Sequence, residues 1–165
     1  MSGALAKDLG LGLAPSFAGD RSFYLALGAA PLTLAVLTWG MPEWSNGIRP
    51  SMPLLLSMVL WQPIIEELLF RGVIQGQLMQ WPGARRGIAG LSLANLITTL
   101  LFMLAHLGQH SPLWAAAVLM PSLIFGHFRD RHGGIFPGLI LHAFYNGCYL
   151  LAGALLNAPY MAAKG

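Results

Sequence analysis

The chain has 165 residues, of which 56% are hydrophobic and only 9% are charged, and its formal net charge is +3. So few charged residues cannot cover the surface of a soluble domain, and we therefore predict an integral membrane protein. The Lys and Arg residues are scattered along the chain rather than clustered in a stripe, which argues against a nucleic acid as partner. The one cysteine, Cys148, has no second cysteine with which to form a disulfide.

The first half of the chain contains two stretches long enough to cross a bilayer. Residues 1–21 mix small apolar residues with charges, and we predict a short interfacial segment there. The uncharged stretch from Ser22 to Met41 is predicted to be the first span, and the turn-forming residues Pro42 to Pro50 a loop. A second helix is predicted from Met52 to about Gln80.

The second half divides into three further spans. Residues 87–128 carry no formal charge, but a single helix of that length would extend roughly 63 Å, about twice the hydrocarbon thickness. We therefore predict two spans, from Ser92 to Leu107 and from Leu113 to Phe128, divided at the Gly-Pro turn between them. Residues 129–134 are predicted to form a loop, and Ile135 to Leu156 the fifth span.

These elements predict one domain, residues 1–165, with an all-α fold: a polytopic membrane helix bundle of about five transmembrane helices. Lys and Arg are distributed unequally between the two sides of the predicted spans, which places the N-terminus in the cytoplasm. One side carries Lys7, Arg21, Arg85, Arg86, Arg129 and Arg131, and the other Arg49 and Lys164.

Three charged residues, Glu66, Glu67 and Arg71, lie inside the second apolar stretch. One such charge at mid-bilayer costs about 2.5 to 3.5 kcal/mol on insertion scales, so charges persist there when they are paired or functional. Glu67 and Arg71 are one helical turn apart on the same face and are predicted to form an ion pair. Glu66 points about 100° away and has no partner on its own helix, which makes it the candidate functional carboxylate.

Two other predicted spans carry polar residues that could meet Glu66. At 1.5 Å per helical residue, Glu66, His106 and Asn146 are expected about 20 to 21 Å below the cytoplasmic ends of their helices, and His142 about 14 Å. A glutamate and a histidine that hold one water form a general base, and His or Asn donors can stabilise an oxyanion. Together, Glu66, His106, His142 and Asn146 predict that the protein hydrolyses amide bonds. Three other histidines lie at span ends or turns, where an interfacial position is expected: His110, His127 and His132.

The motifs EExxxR, FxxxH and HxxxN occur in this order at Glu66–Arg71, Phe102–His106 and His142–Asn146. Their order and spacing resemble the CPBP (Abi) family of intramembrane proteases, which includes the CAAX prenyl endopeptidase known as the Ras-converting enzyme. The resemblance implies that Glu66 and His106 activate water and that His142 and Asn146 form the oxyanion hole. Glu67, Arg71 and Phe102 would be supporting residues, and no metal or other cofactor is expected.

By the same resemblance, the substrate would be a membrane-anchored peptide or protein, and the protein a multi-pass protein of a cell membrane such as the bacterial inner membrane. Whether the substrate is prenylated, and whether the chain acts alone, stay open. A zinc-dependent protease is an alternative, because His106 and His110 are four residues apart, although the chain has no HExxH motif. A non-catalytic binding or immunity protein is another. A proton-coupled carrier that titrates Glu66 is a third, but the chain shows no repeat.

Overall fold

The computed structural model describes residues 3–12, 15–40, 51–88 and 90–162, so the predicted loop from Pro42 to Pro50 lies outside the described residues. Within them the chain is mostly helical, with one short hairpin of two-residue strands, in which Gly87 pairs with Ser92 and Ile88 with Leu91. The elements, in chain order, are α1 Gly3–Asp8, a 3₁₀ turn Pro15–Gly19, α2 Arg21–Gly40, α3 Met52–Leu78, β1 Gly87–Ile88, β2 Leu91–Ser92, α4 Leu93–His106, α5 Pro112–Ala117, α6 Leu119–His132 and α7 Phe136–Ala162.

The helical stretches predicted from the sequence are confirmed within a few residues for α2, α3, α4 and α7. Among the described residues, two helices are long and apolar enough to cross a membrane, Met52–Leu78 and Phe136–Leu155. Helix α4 is apolar but has only 14 residues. The all-helical bundle is therefore observed, whereas the count of five spans stays a prediction.

Serine residues define where three of these helices begin. The backbone N–H of Asn95 donates to Ser92 Oγ at 3.0 Å, which caps the N-terminus of α4. Ser51 caps α3 and Ser111 caps α5 in the same way. These caps fix the start of the two helices that carry Glu66 and His106.

The prediction of one helix from Leu113 to Phe128 is wrong, because the chain turns at Val118 between α5 and α6. Pro121 explains the break. It has no N–H to offer the carbonyl of Ala117, and its ring would clash with that carbonyl in a continuous helix. After the break, α6 packs against both α4 and α7.

The predicted loop at residues 129–134 is also wrong in its first part, since α6 continues through His132 and ends at Gly133 with φ 70°. The polar residues of this last turn have partners inside the protein. Asp130 Oδ1 accepts from Gln75 Nε2 at 2.7 Å, and Arg129 Nε donates to the carbonyl of Arg71 at 3.0 Å. These contacts of Arg129 and Asp130 therefore stabilise a helical turn where the charged residues had indicated a loop.

The N-terminal segment packs on α3 through two glycines. A Cβ at Gly76 would lie 2.6 Å from the carbonyl oxygen of Asp8, and one at Gly72 would lie 3.2 Å from that of Leu9. Arg129 Nη2 donates to the same Asp8 carbonyl at 2.8 Å. The absence of side chains at Gly72 and Gly76 thus allows the N-terminal segment to approach α3 closely.

The bundle buries polar groups and exposes apolar ones. Glu67, Arg71 and Gln75 are completely buried on the inner side of α3, whereas Ile65 and Leu69 on its outer side are 59% and 46% exposed. An apolar core lies between α2, α6 and α7 and is formed by Phe23, Ala26, Phe125, Phe128 and Leu141. An apolar outer face over a charged interior fits a lipid environment, in which only the interior can satisfy charge.

Candidate active site

The buried charges of α3 lie on a stretch with an unusually wide turn. From Glu67 to Gln75 the backbone has π-helical hydrogen bonding, in which an N–H binds the carbonyl five residues earlier. Residues four apart therefore stay close to one line along the helix, and Glu67, Arg71 and Gln75 all face inward. Such wide turns occur frequently at functional sites.

The predicted ion pair between Glu67 and Arg71 is confirmed. Arg71 Nη1 lies 3.1 Å from Glu67 Oε1, and neither side chain is more than 1% exposed. The guanidinium also lies over the ring of Phe102, with Arg71 Cζ 4.8 Å from the ring centroid. Phe102 therefore supports the charged pair directly.

A directed chain of hydrogen bonds holds the other side of Arg71. Arg71 Nη2 donates to Ser122 Oγ at 2.8 Å, and Ser122 Oγ donates to Thr99 Oγ1 at 3.0 Å. Thr99 Oγ1 donates to Asn95 Oδ1 at 3.2 Å, and Asn95 Nδ2 donates to the carbonyl of Leu123 at 3.0 Å. Because a guanidinium only donates and a carbonyl only accepts, both ends fix the direction of every hydroxyl in between. The chain anchors α3 to α4 and α6.

The imidazole of His142 joins the two glutamates. Its Nδ1 lies 3.0 Å from Glu67 Oε1, and its Nε2 lies 3.6 Å from Glu66 Oε2. Because Glu67 Oε1 is also paired with Arg71, it acts as an acceptor, and Nδ1 is the nitrogen that carries a proton. The ring of Phe125 stacks on the imidazole at 5.1 Å and fixes its plane. Only Nε2 of His142 faces Glu66.

The two glutamates have different surroundings. Glu67 is fully buried and holds both Arg71 and His142, whereas the side chain of Glu66 is 26% exposed and lies 3.6 Å from Nε2 of His142. The sequence predicted that Glu67 is paired with Arg71 and that Glu66 has no partner on its own helix. Both features are present in the structure. Glu66 is the carboxylate that a water or substrate can reach.

His106 is oriented by its own helix. Its Nδ1 lies 2.8 Å from the carbonyl oxygen of Phe102, which can only accept, so Nδ1 carries the proton and Nε2 of the neutral ring is a free acceptor. The ring centroid of Phe102 lies 4.5 Å from that of His106 and 6.1 Å from that of His142. Phe102 thus separates the two histidines and contacts both.

Asn146, one turn after His142 on α7, donates from Nδ2 to the carbonyl oxygen of Met58 at 2.8 Å. The structure therefore brings Glu66 and His142 into contact. His106 is instead hydrogen-bonded to the carbonyl of Phe102, and Asn146 to the carbonyl of Met58.

Several residues that contact the site were missed by the sequence analysis. Ser122 and Phe125 come from α6, whose polar and aromatic residues carry no motif, and Trp114 stacks on His110 with ring centroids 3.7 Å apart.

His127 Nδ1 contacts the carbonyl of Gly90, and His132 Nε2 lies 3.0 Å from Asp20 Oδ2. His127 and His132 are therefore each bound to a partner other than Glu66 and Glu67.

The zinc alternative can be compared with the side-chain arrangement. In the described part of the chain, no group of three or more His, Cys, Asp or Glu side chains is arranged to hold a metal ion. His106 and His110 lie 6.1 Å apart between ring centroids, and His110 is stacked against Trp114.

A helical bundle with an apolar exterior and a buried Glu-Arg-His network beside an accessible carboxylate is typical of the class of membrane proteins whose interior ionisable groups form a functional site. Comparison with known proteins narrows this class. The family model described as type II CAAX prenyl endopeptidase Rce1-like matches residues 48–148, which are more than half of the chain and include Glu66, His106, His142 and Asn146. The chain belongs to this family of CAAX-type intramembrane proteases. No match was found among curated proteins or among solved structures.

Proposed function

We propose that the protein is a glutamic-type intramembrane endopeptidase that hydrolyses a peptide bond of a membrane-anchored protein or peptide. The observation that carries this proposal is the difference between the two adjacent glutamates. Glu67 is fully buried and paired with Arg71, whereas Glu66 is partly exposed and faces Nε2 of His142. A carboxylate that is held in a sparsely solvated site, but not neutralised by Arg71, is suited to act as a general base.

In the proposed reaction, Glu66 and Nε2 of His106 hold one water. Glu66 takes a proton from that water, and the oxygen attacks the carbonyl carbon of the scissile bond. When the tetrahedral intermediate collapses, the bond from carbon to nitrogen breaks, and the proton on Glu66 passes to the leaving amine. The products are a carboxylic acid and an amine, so one water is consumed for each bond cleaved.

His142 and Asn146 are assigned to the oxyanion. Nδ1 of His142 is engaged by Glu67, so Nε2 is the atom available to donate, and the role requires the doubly protonated ring during attack. Nδ2 of Asn146 has two hydrogens, of which one is directed at Met58. Donors fixed in this way need no reorganisation when charge develops on the oxygen, and one such donor contributes about 100-fold to about 1,000-fold in kcat.

The family supports a membrane-anchored substrate, and the site limits its conformation. A carbonyl within a helix is already bonded to a helix N–H, so the substrate segment must unwind locally before its carbonyl can be attacked. We further propose five spans in a cell membrane, with the apolar outer face of α3 in contact with lipid.

The test is direct. The full chain, purified in detergent, is incubated with membrane-anchored peptides that end in Cys-aliphatic-aliphatic-X, with and without a prenyl group on the cysteine, and products are identified by mass spectrometry. We expect cleavage at one bond of at least one peptide. If all of these peptides remain intact, and a set of unprenylated transmembrane peptides does as well, the result would support a non-catalytic binding protein instead.

A further inference from the structure

The helix that carries Glu66 has a backbone irregularity one turn before the glutamates. Between Ser57 and Trp61 the hydrogen bonding is again π-helical, and the N–H of Gln62 donates to the carbonyl of Ser57. In a regular α-helix the same N–H would bind the carbonyl of Met58. The carbonyl of Met58 therefore loses its ordinary donor.

The next residue cannot replace that donor. In the π-helical register the carbonyl of Met58 would accept from residue 63, but Pro63 has no backbone N–H. Pro63 is fully buried, in the interior of the helix and not in its first turn, where a proline would be tolerated without loss. The wide turn and the proline together remove both the α-helical and the π-helical donor to the Met58 carbonyl.

Asn146 of α7 occupies this acceptor, with Nδ2 2.8 Å from the Met58 oxygen. Because a carbonyl only accepts, this contact fixes which end of the carboxamide faces α3: the nitrogen does, and Oδ1 faces away. The second hydrogen of Nδ2 is then fixed in direction as well. The same contact ties α7 to α3 within one turn of His142.

We propose that Pro63 is a positioning residue for the reaction: by withholding an N–H from the Met58 carbonyl, it reserves that oxygen for Asn146 and so aims the second N–H of Asn146. The inference rests on the proposed function, in which this N–H serves the oxyanion. It assigns Pro63 a role beyond bending the helix. A merely bent helix would not require that Asn146 and Pro63 act through the same atom.

Replacing Pro63 with Ala tests this coupling. Alanine supplies an N–H, and the helix can then give Met58 a backbone donor, either from residue 63 in the wide turn or from Gln62 if the α-helical register is restored. In both cases Asn146 must share the Met58 carbonyl with a helix N–H, which weakens its contact and changes its direction. Since the substitution adds a helix hydrogen bond and improves helix propensity, we expect the variant to fold. Pro53→Ala is the matched control, because Pro53 lies in the first turn of the same helix, where no N–H is needed.

The kinetic arm compares the two proline variants on a substrate that the wild-type chain cleaves. We expect Pro63→Ala to lower kcat between about 10-fold and about 100-fold with little change in KM, since the misplaced donor acts only in the transition state. Pro53→Ala should keep the wild-type kcat. A Pro63→Ala enzyme with wild-type kcat would overturn the proposal.

The second arm measures melting temperature in detergent and requires no activity. Asn146→Ala should lower the melting temperature of the wild-type chain, because it leaves the Met58 carbonyl without a partner. In the Pro63→Ala background the same substitution should change it little, since Met58 then has a backbone donor. Equal effects of Asn146→Ala in both backgrounds would show that Pro63 and Asn146 are independent and would overturn the inference. If the wild-type protein cleaves no peptide, the proposed function is refuted instead. The melting temperatures would still test whether Pro63 and Asn146 act through the Met58 carbonyl.

Discussion

Nδ1 of His142 lies 3.0 Å from Glu67 Oε1, while Nε2 of the same ring lies 3.6 Å from Glu66 Oε2. One imidazole thus connects the buried, ion-paired glutamate to the accessible one. In the proposed mechanism, Glu67 acts on the reaction through the ring that it orients, in the way that a buried carboxylate fixes the tautomer of a catalytic histidine. Substitutions at the two glutamates should therefore have different effects, on stability at Glu67 and on turnover at Glu66.

Replacing Glu67 with Ala should destabilise the protein strongly. It leaves the fully buried guanidinium of Arg71 without its carboxylate, and breaking a buried pair in this way costs about 3 to 5 kcal/mol. The measurement is the melting temperature or the folded yield in detergent. Arg131→Ala is the control, since Arg131 is 54% exposed in its pair with Asp20, and exposed pairs contribute about 0 to 1 kcal/mol. A Glu67→Ala variant as stable as Arg131→Ala but inactive would assign Glu67 to the chemistry itself.

Replacing Gly138 with Ala should disturb the same cluster from the other side. A Cβ at this position would lie 2.9 Å from Glu67 Oε2, so the carboxylate must shift from the position in which it contacts His142 and Arg71. Overpacking of this kind costs about 1 to 3 kcal/mol, and we expect both lower stability and lower kcat.

Gly147 provides the matched control on the same helix. Its Cβ would meet only Val59 Cγ2 at 3.9 Å, an ordinary contact, and alanine is a better helix former than glycine. Gly147→Ala should therefore be neutral or slightly stabilising. Equal loss in the two variants would show that the helix, rather than Glu67, responds to the added methyl group.

Much of this arrangement could be predicted from the sequence. The spacing of Glu67 and Arg71 on one helix predicted their ion pair, and the apolar stretches gave the helix bounds, because both depend on local geometry. The depths of His142 and Glu66 in the predicted spans indicated that the two could meet, but the closer contact of His142 with Glu67 could not be predicted, since it depends on how α7 crosses α3. The same holds for Ser122, a small polar residue of α6 whose hydroxyl binds Arg71 only when the two helices are packed. The continuation of α6 past Phe128 was missed because Arg129 has its acceptors in distant parts of the chain.

Activity should persist in strong chelators such as phenanthroline, because Glu66 and His106, rather than zinc, are proposed to hold the water. Cleavage rate with and without chelator is the measurement. His110→Ala is the genetic counterpart, since His110 stacks on Trp114 and is not assigned a role in the reaction. Loss of cleavage in either experiment, together with stoichiometric zinc in active protein, would establish the metalloprotease alternative.

Asp20 should contribute a pH-dependent part of the stability. Hydrogen bonds to its carboxylate, above all from the hydroxyl of Ser22 and also from Arg131 and His132, hold the pKa of Asp20 below its ordinary value. Because the pKa is lowered in the folded state, the stabilisation is present above the unfolded-state value of about 3.9 and is lost as the pH falls below it.

The measurement is the melting temperature of wild type and Asp20→Asn between about pH 5 and about pH 3. The difference between the two proteins should shrink as the pH falls, because wild type loses a stabilisation that the variant never had. A difference that stays constant over this range would show that the hydrogen bonds of Asp20 do not favour its charged form.

The most direct test of the account is the turnover of Glu66→Gln, purified in detergent and assayed on a peptide that the wild-type chain cleaves. The amide keeps the shape of the side chain and removes the base, so we expect turnover to fall by at least about 100-fold with an unchanged melting temperature. Asp8→Asn changes a carboxylate to an amide in the same way at the N-terminal segment, where the Asp8 carboxylate accepts a 3.4 Å hydrogen bond from Gln80, and should retain wild-type turnover. Wild-type turnover in folded Glu66→Gln would contradict the assignment of Glu66 as the general base.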